Sequence, residues 1–87
     1  MTKFDVIVKE IYFQIAAIKK QDQEPYYLFL SKEIYQLIKM EMVALKANHL
    51  LQEGGRLDFF ENMEVVPLSG TPVDFIEIRG IKINHVV

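Results

Sequence analysis

Two histidines and the carboxylates near them are the groups whose type and spacing suggest chemistry. His49 and Glu53 stand four apart. On a helix that reaches Glu53 they would share a face and could supply part of a metal site, although two ligands are too few for tight binding. The same pair also reads as solvent-facing polar residues near a helix end. Asp74 and His85 would oppose each other if the last stretch folds back on itself. A carboxylate beside an imidazole raises its pKa and can orient it for acid–base work, and Arg79 could join them. They could equally be two polar residues at the open end of a hairpin. Ser31 is placed to cap a helix, and Ser69 lies in a turn-forming stretch. The sequence has no glycine-rich phosphate loop, nucleophile elbow, His-Glu-x-x-His or EF-hand pattern. It contains no cysteine, which excludes disulfides, thiolate catalysis, thiolate zinc sites and iron–sulfur clusters. No metal or cofactor is implied, and an enzyme is not the expectation.

Composition points to association instead. The chain has 87 residues, room for one domain spanning 1–87. It is 51% hydrophobic, more than the average of about 45–50%, although a small domain has proportionally more surface to cover. The surplus implies either a dense core or an apolar patch that meets a second copy or another protein. A homodimer or a complex with a protein partner is therefore expected. Aromatic residues suited to such an interface are Tyr26, Tyr27, Phe59 and Phe60. Ile81 and Ile83 would make the terminal strand an apolar edge, with Lys82 as its charged gatekeeper. An acidic run of Glu53, Asp58, Glu61 and Glu64 surrounds Phe59 and Phe60. It reads as a solvated loop or as a docking edge for a basic partner.

Net charge is −2. Residues 1–50 carry seven Lys/Arg against six Asp/Glu, and residues 51–87 carry three against six. Neither half has the basic balance that phosphate-backbone binding needs, so nucleic acid is not an expected partner. No apolar run approaches the roughly 18–20 residues of a membrane span. Met1-Thr2-Lys3-Phe4-Asp5 does not begin a secretory signal. A cytoplasmic location, without membrane contact, follows as an expectation.

The elements that must position these residues can be read in turn. Phe4, Ile7, Val8, Ile11, Ile15 and Ile18 recur at helical spacing over Lys3–Lys20. Thr2 and Asp5 have capping-box spacing. The alternative is a strand over residues 4–8 before a shorter helix. After Pro25, Tyr26–Leu30 reads as a buried strand. Tyr26 and Tyr27, being adjacent in it, should point to opposite faces. Ser31 is the N-cap of a second helix from Lys32. Ile34, Leu37, Ile38, Val43 and Leu45 should face inward, and the helix should end at Asn48 or at Gly54. Arg56–Asn62 could be a short strand or a helical turn. Glu64–Leu68 is a strand whose Pro67 suggests an edge or an end.

The last stretch is the most legible. A two-residue turn at Arg79-Gly80 would place Ile78 against Ile81, Glu77 against Lys82 and Ile76 against Ile83. A strand running straight through Gly80 would put the isoleucines on different faces and need a bulge. The hairpin satisfies more constraints. The expected architecture is α+β: two helices on one face of a small, mostly antiparallel sheet of three to five strands, ending in a C-terminal β-hairpin.

The run Leu28-Phe29-Leu30-Ser31-Lys32-Glu33, followed by a helix, Val65-Val66-Pro67 and Ile76-Glu77-Ile78-Arg79-Gly80, resembles segments of bacteriophage proteins. These include the peripheral domain of phage capsid subunits and short phage-encoded accessory proteins. The resemblance brings no functional residue with it. What it implies is a small protein that binds and blocks or redirects a host protein.

Overall fold

The structure, a computed structural model, describes residues 2–46, 51 and 55–82. The first helix, α1, spans Lys3–Lys19. Its capping box forms: the Asp5 amide donates to Thr2 Oγ1 and the Thr2 amide donates to Asp5 Oδ2, both at 3.1 Å. The reciprocal bonds satisfy two amides that would otherwise lack partners, and they favour helix over the strand that Val6, Ile7 and Val8 prefer locally. Ile7 and Ile11 are buried, and Phe4, Ile15 and Ile18 pack beside them.

Strand β1 covers Gln23–Ser31 and starts earlier than the aromatic run suggested. Ser31 ends it and caps α2, Lys32–Ala44, by accepting from the Ile34 amide at 3.1 Å. The Ser31 hydroxyl also donates to the Val73 carbonyl at 2.7 Å, and its amide donates to the Phe75 carbonyl at 3.1 Å. One fully buried serine thus joins strand, helix and the loop after Leu68. The second helix stops well before Asn48, with Lys46 in a left-handed conformation at φ 57°. Its inner face is Ile34, Ile38 and Met42. Val43 and Leu45, expected inside, are exposed.

The ambiguous stretch resolves into strand. β2 is Phe59–Phe60 and β3 is Met63–Leu68. Glu61 and Asn62 between them both have positive φ, 51° and 64°. This is the two-residue hairpin turn whose twist suits the flanking strands. Just upstream, Leu57 is buried and its amide donates to the Tyr35 hydroxyl at 3.0 Å, which ties this segment to α2.

The last strand, β4, is Ile76–Lys82. It runs straight through Arg79 and Gly80, so the expected turn there, and with it the C-terminal hairpin, does not form among the described residues. Arg79 pairs with Tyr27 and Gly80 with Pro25 on β1. The register change that a straight strand requires falls on the partner, where Tyr26 is an extra residue between Pro25 and Tyr27. Gly80 serves close packing rather than turning. A Cβ there would sit 2.7 Å from Ile18 Cγ2 and 3.0 Å from the Glu24 carbonyl oxygen.

The sheet order is β2-β3-β1-β4. β4 and β2 pair antiparallel with their neighbours, whereas β1 and β3 are parallel. The sheet is therefore mixed, not mostly antiparallel. The chain leaves β1, crosses through α2 and re-enters beside it in the same direction, as helix-connected strands do. Both helices lie on one face. Ile7, Ile11, Ile34, Ile38 and Met42 meet Leu28, Leu30, Met63, Val65 and Ile78 in one core. No described helix is long and apolar enough to cross a membrane.

Candidate functional site

Side chains alternate along each strand, so the residues between the core positions face away from the helices. The registers lay them out in rows. One row is Phe59, Glu64, Tyr27 and Arg79, from β2 across to β4. The next is Val66, Phe29 and Glu77. Glu24 and Ile81 form a third pair beyond the bulge.

The bulge changes what the tyrosines do. In a regular strand Tyr26 and Tyr27 would diverge. Here their rings meet edge to face at 4.7 Å, and the Tyr27 ring lies 5.9 Å from that of Phe29. The three rings form a continuous aromatic run along the central strand. Tyr26 is 45% exposed, Ile81 47% and Phe59 61%. These three, with Tyr27, are sequence candidates that the structure brings to one surface.

Phe60 is not among them. It pairs with the buried Met63 and packs against the core, on the helix side. Two neighbours in a strand cannot both be surface anchors without a bulge, and β2 has none. Ile83 and His85 lie outside the described residues, as do His49 and Glu53.

Of the polar trio Asp74, Arg79 and His85, only Asp74 and Arg79 lie among the described residues. Arg79 is on the helix-free face, where it pairs with Glu77 at 3.4 Å. Asp74 is in the loop before β4 and lines a cleft of about 670 Å³ between the starts of the two helices. The straight course of β4 through Gly80 also removes the register that opposed Asp74 to His85.

Charge on the helix-free face is acidic around the aromatic run. Glu24, Glu64 and Glu77 stand against Arg79. At the β2–β3 turn, the Glu61 carboxylate lies beside the Tyr12 hydroxyl of α1. Hydrogen bonding to that carboxylate, then its negative charge, then slight desolvation hold the Tyr12 pKa above its ordinary 10.0.

The residue that sequence reasoning missed is Gln14. Its Oε1 accepts from the Ile78 amide at 2.8 Å and its Nε2 donates to the Ile76 carbonyl at 3.0 Å. A single glutamine on an amphipathic helix carries no signal of such a role. Only the packing of α1 over β4 creates it. No family model, no curated protein and no solved structure matches this chain.

Proposed function

We propose that this chain is a small non-enzymatic protein-binding module whose partner docks on the helix-free face of the sheet. The observation that carries the reading is the aromatic run Tyr26, Tyr27 and Phe29, flanked by Phe59, Val66 and Ile81 on one face. Tyrosine and phenylalanine supply large contact area with few rotatable bonds, and tyrosine dominates binding hot spots. The partner has an apolar centre with basic residues at its rim, facing Glu24, Glu64 and Glu77. That balance disfavours nucleic acid, whose phosphates these carboxylates would repel. The likeness to phage accessory proteins adds a biological setting, in which the partner is a host protein that the module blocks or redirects.

The test is capture from a host cell extract with immobilised wild-type chain, Tyr26→Ala and Phe59→Ala. The wild type should retain a protein. Truncating a hot-spot residue costs about 2 kcal/mol or more of binding, so each variant should retain it at least about tenfold less while melting near the wild-type temperature. Equal retention by the variants, or no retained protein, counts against this face.

A further inference from the structure

Among the described residues β4 is an edge strand, and the outward groups of an edge strand are a template for pairing with another chain. On β4 a side chain already occupies two of them. The Gln14 carboxamide presents one acceptor and one donor to the Ile78 amide and the Ile76 carbonyl, as the C=O and N–H of one residue in a parallel fifth strand would. Its second amide hydrogen goes to Glu10 Oε1 at 3.0 Å. These bonds also show that Ile76 and Ile78 turn backbone groups outward, away from β1.

Two further features meet at this edge. The first is charge. Antiparallel pairing of two β4 strands about a two-fold axis at Ile78 sets Ile78 against its own copy and Ile76 against Gly80. Glu77 of each copy then faces Arg79 of the other, so opposite charges meet on both sides of the axis. The second is α1. Val6, Glu10, Phe13 and Ala17 recur on the flank of α1 that carries Gln14. Val6 is 55% exposed and Phe13 71%. Strands in a sheet are about 4.8 Å apart, and α1 lies over both β1 and β4. Two copies joined at β4 would therefore hold their α1 helices about 10 Å apart, close to the usual distance of packed helices. Phe13 and Val6 would be covered.

We infer that the outer edge of β4 is the pairing site for a second copy of this chain, and that Gln14 is the latch that pairing must displace. The single chain keeps the Ile78 amide and the Ile76 carbonyl of this edge satisfied. The dimer replaces the Gln14 bonds with strand-to-strand bonds and buries the α1 flank. The surface is the edge and not the sheet face, so the inference stands apart from the partner proposed above, although Arg79 borders both.

The experiment is absolute mass by light scattering over a hundredfold concentration range, on the full chain. Removing a latch of two hydrogen bonds from each copy should lower the dimer dissociation constant of Gln14→Ala at least about tenfold below that of the wild type. In the Gln14→Ala background, Arg79→Glu should raise it at least about tenfold by facing two glutamates, and adding Glu77→Arg should restore it. Tyr26→Ala should leave the Gln14→Ala dimer unchanged, which separates this surface from the sheet face. If Gln14→Ala does not fold, Gln14→Glu makes the same comparison, since its carboxylate repels the Ile76 carbonyl and Glu10. A latch variant that associates no more tightly than the wild type overturns the inference, and so does a charge swap that fails to restore pairing.

Discussion

The two faces of the sheet are built from the same strands and differ in almost every other respect. Under the helices, Leu28, Leu30, Met63, Val65 and Ile78 are buried and aliphatic or sulfur-containing. On the other side, Tyr27, Phe29, Val66 and Glu77 are half-buried, and Tyr26, Phe59 and Arg79 are exposed. The first face buries its apolar groups within the chain. The second leaves rings at the surface, where they add little to folding and are available to a partner. On the proposed function, stability and recognition are divided between alternate residues of one strand, and a substitution should affect one and spare the other.

The largest effect that tests this division is in the core. Ile38 is fully buried, and Ile38→Ala should lower stability by about 2–5 kcal/mol, read as a shift in the urea midpoint. That is a large share of the roughly 5–15 kcal/mol typical of a domain. Tyr26→Ala should shift the midpoint by no more than about 1 kcal/mol. Comparable losses from both would erase the distinction between the faces.

Gly80→Ala comes next. The added methyl enters the contact between β4 and Ile18, and such overpacking costs about 1–3 kcal/mol. An unchanged midpoint would mean that α1 does not press on β4 there. Ser31→Ala should cost about 1–2 kcal/mol, since it removes a helix cap and strips the Val73 carbonyl of its donor. Chemical denaturation measures it, and Ser31→Thr should recover part of the loss.

The smallest effect is electrostatic and lies outside both faces. Spectrophotometric titration should find one tyrosine ionising above 10.0, and Glu61→Gln should bring it down. The sign for stability follows from linkage. The folded Tyr12 holds its proton more tightly than the unfolded one, so this contribution is complete below the unfolded pKa. It is lost as pH rises through the folded value. A titration identical in Glu61→Gln and wild type would separate Tyr12 from the β2–β3 turn.

Parts of this arrangement were legible in the sequence. Thr2 and Asp5, Ser31 and the spacing of Ile7 and Ile11 mark the helices because caps and amphipathic periods act within a few residues. Tyr26, Tyr27, Phe59 and Ile81 were legible as candidate anchors by type. Their sharing of one face was not, because it depends on a bulge that no local pattern announces. Arg79-Gly80 misled for a related reason. Glycine marks both a turn and a strand position where another element approaches closely, and only Ile18 above it distinguishes the two. Glu61-Asn62 lacks the glycine that usually signals a two-residue turn, so the β2–β3 hairpin went unread.

What the sequence alone determined, then, is the set of elements that local energetics specify: two capped helices, the aromatic strand, the strand through Val65 and the apolar final strand, with an α+β class. Tertiary structure decided everything that depends on which element lies beside which. It made β1 and β3 parallel, turned Phe60 inward, aligned Tyr26 with Tyr27, moved Asp74 away from Arg79 and placed Gln14 against Ile76 and Ile78. The physical reason is range. Caps and periodicities act within a turn of chain, whereas sheet order and edge contacts depend on burying one shared core among residues as far apart as Gln14 and Ile78.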